Sequence, residues 1–274
     1  MPRLARTIDG RAMLGDESGF VPLSAAVPSL TTVMDALPLA AEGNLPTLGE
    51  VPAKPIPSEQ LSFAAPLDTP GKLWGIGLNY ADHASDLREE RPTEPASFMK
   101  PATTVTGPGG PIRLPPEEVS DRVTAEAELA VVVGQTCSDL DDVDEVDDVV
   151  AGYVPVIDMT AEDILERNPR FLTRAKSFDS FLVFGPWMTT TDDVGPLEEL
   201  SVSTVVNHEA AAENRIRNMM TSPRELVRFH STVMTLEPGD VISTGTPGAK
   251  QIRPGDDVRA EVEGVGTAQA DVVR

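Results

Sequence analysis

The ten residues Ala125–Gly134 read AEAELAVVVG, and their pattern sets the fold class. From Leu129 to Val133 every position is apolar, the signature of a strand buried on both faces. Residues two apart on a strand point the same way, so Glu126 and Glu128 leave one face side by side at the entrance to a core. At about 4 Å and an effective dielectric near 20, two such charges repel by about 4 kcal/mol. Either water or a cation has to compensate them.

The rest of the chain reads as more short strands. From about residue 70, KLWGIGLN, SFMKP, AGYVPVID, LSVSTVVN, DVISTGT and DVRAEVEG are apolar or alternating runs broken by Gly and Pro. PGD occurs at 238–240 and at 254–256, each time before a strand, which is turn chemistry. Helical patterns are few. SLTTVMDAL predicts a short helix capped by Ser29, TAEDILERN one capped by Thr160, and SPRELVRFHSTVMTL a third. SDLDDVDEVDDVV places Leu140, Val143, Val146 and Val150 at helical spacing between acids, a solvated helix face. It lacks the glycine that an EF-hand calcium loop needs. Near the N-terminus RLARTID, RAMLGDE and GFVPLS read as strands, and Pro46, Pro52, Pro55 and Pro57 mark residues 43–60 as a linker. The expected organisation is a small β-rich N-terminal domain with linker over residues 1–60. A mixed, mainly antiparallel α+β domain follows over residues 61–274.

Composition narrows the function. The chain has 274 residues, 40% of them hydrophobic, enough for a substantial core. A formal net charge of −22 disfavours nucleic acid and anionic membrane as partners. No apolar run approaches the roughly 18 residues of a membrane span, and the N-terminus lacks the apolar stretch of a secretory signal, so a cytoplasmic location is expected. The single cysteine, Cys137, excludes an internal disulfide and a thiolate zinc cage. Only five lysines stand against 44 acids, which points to a high-salt source or to a GC-rich genome favouring arginine.

Asp158 closes the apolar run YVPVID. If its strand neighbours that of Glu126 and Glu128, three carboxylates converge and need a hard cation. Mg²⁺ comes first, with Mn²⁺ or Ca²⁺ as alternatives. Such a ligand set leaves positions open for water and substrate, a catalytic arrangement.

In order and spacing, WGIGLNYADHASD, AEAELAVVVG, GYVPVIDMTAED, LTRAKSFDSFLVFGP and VISTGTP resemble the motifs of the fumarylacetoacetate hydrolase family, over about residues 70–274. The resemblance implies a fold of rolled mixed β-sheets, sandwich- or barrel-like, and a homodimer. It implies Mg²⁺ or Mn²⁺ on Glu126, Glu128 and Asp158. The family's lysine falls on Lys176, its histidine on His83, and the acid one turn later on Asp86; Asn79, Tyr80, Thr244, Gly245 and Thr246 fall on substrate-binding motifs. The chemistry is coherent. A 2-oxo acid chelates a metal through its carboxylate and keto oxygens, Lys176 neutralises developing negative charge, and Asp86 orients His83 for proton transfer. Lys100 or Arg174 would add local attraction for an anion. His208, in the turn VNHEA, and His230, in a helix, read as structural.

The expected activity is a metal-dependent hydrolase or isomerase of a small diketo or 2-hydroxydienoic acid in aromatic compound catabolism. A 2-keto-3-deoxy sugar-acid dehydratase or an oxo-acid decarboxylase on the same fold is the alternative, and a non-catalytic small-acid-binding protein is the rival from another class. Two positions depart from the family pattern: Glu162 stands in place of arginine and Leu165 in place of glutamine.

Overall fold

A computed structural model describes residues 2–81 and 93–274. The chain is strand-dominated α+β, with its described strands in two sheets of 13 and five. The large sheet is open, ending at Gly19–Pro22 on one side and Ala96–Lys100 on the other, so its rolled shape does not close into a barrel.

The opening stretch lies in the central strand of the large sheet, Val123–Val133, which is buried along its whole length. Val150–Ala161 runs antiparallel to it on one side, from Val150 opposite Val133 to Ala161 opposite Val123. On the other side it pairs with Val241–Ser243 and, nearer its start, with Ala249–Ile252. The ladder slips between Val150 and Gly152. Gly152 is needed there, since a Cβ would lie 2.3 Å from the Thr189 carbonyl oxygen.

The two faces of the central strand differ. Its odd-numbered residues Val123, Ala125, Ala127 and Leu129 pack against Val202, Val258, Ala260, Ala268 and Ala270 of the five-stranded sheet. That sheet reads Gly266–Val273 with inward residues buried and outward ones exposed, the alternation of a sheet with one wet face. On the opposite face Ala130 and Val132 pack with Leu4, Leu14, Val21 and with Ala36, Leu37 and Ala40 of the helix Val33–Ala41. The N-terminal strand Arg3–Thr7 pairs with Trp187–Thr190, so the N-terminal strands lie within the large sheet and share its core.

Three local expectations are corrected. The first helix begins at Val33, not after Ser29. Thr32 caps it by accepting the Asp35 N–H at 3.1 Å, and the Asp35 carboxylate accepts the Thr32 N–H at 2.8 Å, a reciprocal box that Ser29 has no partner to make. Thr160 is not a cap. It is still in the strand, and the helix that follows, Glu162–Arg167, has no side-chain cap. The acidic segment forms only one 3₁₀ turn, Asp144–Asp148, around a buried Val146. Like charges four apart, Asp141 with Glu145 and Asp144 with Asp148, disfavour a longer helix.

Both structural histidines are placed. His230 lies in the helix Pro223–Val233, fully buried. Its Nδ1–H donates to the Leu226 carbonyl at 2.7 Å, so Nε2 accepts from the Ser97 hydroxyl at 2.9 Å, and its ring lies 4.6 Å from that of Trp74. Burial holds it below its ordinary value of 6.5. The unfolded chain therefore binds a proton near pH 6.5 that the folded chain refuses. The stability from neutral His230 is complete above that pH and is lost as pH falls below it. Urea unfolding between pH 7 and about 5 should show this slope, and His230→Gln should flatten it.

His208 follows Asn207 in a two-residue hairpin loop, both with left-handed backbone (φ 67° and 52°), between Val206 and Glu209. A type I′ turn favours glycine at its second position. His208→Gly should stabilise the fold by about 1 kcal/mol, seen as a melting temperature about 2–4 °C higher.

Candidate active site and metal centre

Glu126 and Glu128 share one face of the central strand, and the ladder sets Asp158 directly opposite Glu126. The three are buried, and one oxygen from each lies within 4.8 Å of the others. Lys176, at the end of the helix Leu172–Lys176, reaches Glu126 Oε2 at 2.8 Å and Asp158 Oδ2 at 2.9 Å. Lys100 enters from the strand Ala96–Lys100 and bonds the other Asp158 oxygen. Neutral donors add to these ion pairs. Thr160 donates to Glu126 Oε1, and Ser243 and the Gly245 N–H (2.9 Å) donate to Glu128 Oε2.

Three carboxylates against two ammoniums leave surplus negative charge in a dry place. Burial, then the Asp158 charge, push the Glu128 carboxyl up to about 8 against the pull of Lys176. Asp158 goes the other way: burial would raise it, but Lys100 and Lys176 hold it below the usual carboxylate value. The lysines also separate. Burial would lower Lys176, but Asp158, Glu126 and Glu128 hold it above its ordinary value. For Lys100 burial prevails over Asp158, helped by Lys176, and holds it below. An all-oxygen donor set with surplus negative charge fits a hard divalent cation.

The other predicted residues surround this cluster. Thr244 N–H and hydroxyl both donate to the Leu129 carbonyl at 2.9 Å. Gly245 takes φ +94°, and a Cβ on it would lie 2.8 Å from Asn79 Cβ, so only glycine lets its N–H reach Glu128 here. The Asn79 side chain is spent on backbone: it donates to the Thr244 and Thr221 carbonyls at 2.7 and 2.9 Å and accepts the Thr221 N–H at 2.9 Å. It ties the Thr-Gly-Thr loop in place. Thr246 is buried and folds back on Gly248. Tyr80 is fully buried with its hydroxyl unpartnered among the described residues, and burial followed by the Glu128 charge raises its phenol. His83 and Asp86 lie outside the described residues. Arg174 is exposed and outside the cluster.

Four contributors carry little sequence signal. Lys100 is one of five lysines, alternating with buried Phe98 on an edge strand. Thr160, Ser243 and Thr124 are small hydroxyl residues legible only once the pairing is known. Of the departures, Leu165 packs against the core, whereas Glu162 is half-buried and accepts the Thr124 hydroxyl at 3.0 Å.

The open β-rich fold thus surrounds a buried carboxylate triad that could hold a metal ion, contacted by two lysines. A sequence model described as Fumarylacetoacetate (FAA) hydrolase C-terminal matches residues 72–273, and the chain belongs to that family. It is 37% identical over 213 residues to the 4-hydroxyphenylacetate degradation bifunctional isomerase/decarboxylase of Salmonella dublin, covering 77% of this chain and 49% of that protein. The crystal structure of 5-carboxymethyl-2-hydroxymuconate delta-isomerase from Mycobacterium smegmatis superposes with a TM-score of 0.80 at 32% identity, covering 99% of each chain. Maleylpyruvate hydrolase from Sphingobium sp. SYK-6, in complex with manganese(II) and pyruvate, superposes at 0.79 with 29% identity, covering 99% of this chain and 98% of that one.

Among the described residues, no helix is long and apolar enough to cross a membrane. Adding Mn²⁺ or Mg²⁺ should raise the melting temperature, by about 2.7 kcal/mol of stability at a hundred times Kd. Glu126→Gln should remove most of that rise, as read by thermal melts with and without chelator.

Proposed function

We propose that this protein is a divalent-metal-dependent enzyme, with Mg²⁺ or Mn²⁺ on Glu126, Glu128 and Asp158, that acts on a small 2-oxo acid. The observation that carries the reading is the buried triad with Lys176 and Lys100 in hydrogen-bond contact with it. A cation held by Glu126, Glu128 and Asp158 would supply Lewis acidity toward a chelating 2-oxo acid. The chain's own residues do the rest. Lys176, held charged by three acids, neutralises negative charge that develops on the substrate oxygen. Lys100 presents a further donor to the same centre. The Thr244–Thr246 loop, clamped by Asn79, closes the Glu128 side against water. His83 with Asp86 moves the proton.

The neighbours include an isomerase, a hydrolase and a bifunctional isomerase/decarboxylase. From them we take hydrolysis of an acylpyruvate or isomerisation of a 2-hydroxydienoic acid as the reactions to test first, in a homodimeric cytoplasmic enzyme.

A panel of acylpyruvates, 2-hydroxydienoates and 2-keto-3-deoxy acids, incubated with Mn²⁺ and read by mass spectrometry, tests the reading. Turnover should depend on the metal. Lys176→Met should lower kcat by two to three powers of ten, and His83→Ala should remove most activity while Mn²⁺ still binds. Pyruvate binding without turnover of any panel member would make the protein a binder rather than an enzyme.

A further inference from the structure

Glu162 is a fourth carboxylate beside the centre, and its position follows from strand register. Thr124, Glu126 and Glu128 line one face of the central strand, and Asp158 and Thr160 line the same face of its partner. Glu162 comes next, its N–H donating to the Arg122 carbonyl at 2.9 Å while its carboxylate turns back to Thr124. Successive residues on one face are about 6.6 Å apart, so the Glu162 carboxylate lies one step beyond Glu126.

The same row shows which way the site opens. Glu128 is 1% exposed and closed by Ser243 and Gly245, Glu126 is 7% exposed, Thr124 8%, and Glu162 is only half-buried. A small acid held at the triad would extend past Glu126 toward Glu162, the direction in which exposure rises along the row. Arg122 is paired directly with Glu166 and Arg167 with Asp163, so neither forms an ion pair with Glu162 among the described residues. Four carboxylates then face two ammoniums, and a divalent cation brings the centre only to neutrality. A chelated monoanion adds one negative charge. A second carboxylate at its far end would meet the Glu162 carboxylate at close range, where like charges repel.

We infer that Glu162 sets substrate choice at the mouth of the site, excluding 2-oxo acids with a distal carboxylate and admitting those whose far end is neutral and bears a hydroxyl. The Thr124 hydroxyl and the Glu162 carboxylate accept hydrogen bonds from such a tail. This inference rests on the proposed 2-oxo-acid function and narrows it.

The test is binding rather than turnover. Calorimetry with the Mn²⁺-loaded protein would compare three five-carbon acids, 2-oxopentanoate, 5-hydroxy-2-oxopentanoate and 2-oxoglutarate, with pyruvate as the tailless reference. Manganese occupancy would be measured separately by electron paramagnetic resonance. The wild type should bind the hydroxy acid best and 2-oxoglutarate at least tenfold more weakly. Glu162→Gln, which keeps a partner for Thr124, should shift the ratio of 2-oxoglutarate to 2-oxopentanoate affinity at least tenfold toward the diacid, and Glu162→Arg further. A ratio unchanged within twofold in both variants, with pyruvate and Mn²⁺ bound as in the wild type, would overturn the role of Glu162 alone. Failure of the wild type to bind Mn²⁺ or pyruvate would overturn the parent function and this inference with it.

Discussion

Everything at this centre follows from placing three carboxylates on a strand pair with almost no water. A buried ion pair gains from Coulomb attraction only if its remaining hydrogen-bonding capacity is met. Here Lys176 bridges Glu126 and Asp158, Lys100 takes the other Asp158 oxygen, and Thr160, Ser243 and Gly245 donate to Glu126 Oε1 and Glu128 Oε2. The cluster is richly bonded yet short of positive charge, and burial beside Asp158 raises the Glu128 carboxyl. A divalent cation is what such a deficit would favour.

The surrounding fold explains why this region stays rigid. Val123–Val133 is paired on both sides, and its back face is covered by the five-stranded sheet. Its front face passes from Thr124, Glu126 and Glu128 directly into the apolar contacts of Ala130 and Val132 with the N-terminal segment. One strand therefore carries both the chemistry and the core. Because side chains alternate, a slip of one residue would exchange the acids for alanines, so the packing of the odd-numbered face fixes the register of the site.

Much of this was legible from residue order. The apolar run after Glu128 required a doubly covered strand, and Asp158 at the end of another such run required a neighbour. Lys176 stood out in a chain poor in lysine. What was not legible depends on pairing across large sequence distances. Thr160 looks like a helix cap because its hydroxyl and the following acids fit that pattern; only its position opposite Thr124 gives the hydroxyl a carboxylate instead. Asn79 reads as part of a ligand-binding motif, while its amide is committed to backbone 142 and 165 residues away. Glu162, in place of the family's arginine, takes its setting only from the register that brings its carboxylate to Thr124.

The wide separation of the contributing segments also bears on how the molecule assembles. Lys100, Glu126, Asp158, Lys176 and Gly245 meet only when the long hairpin, the edge strand and the segment after Val241 have all joined one sheet. Contacts of such range form late, because loop closure must precede any gain from them. No partly folded chain lacking the C-terminal strands has the full set of partners for the triad. Interactions absent from the transition state act on the rate of unfolding and hardly on the rate of folding. An ion held by these carboxylates would prolong the lifetime of the finished protein without hastening its formation.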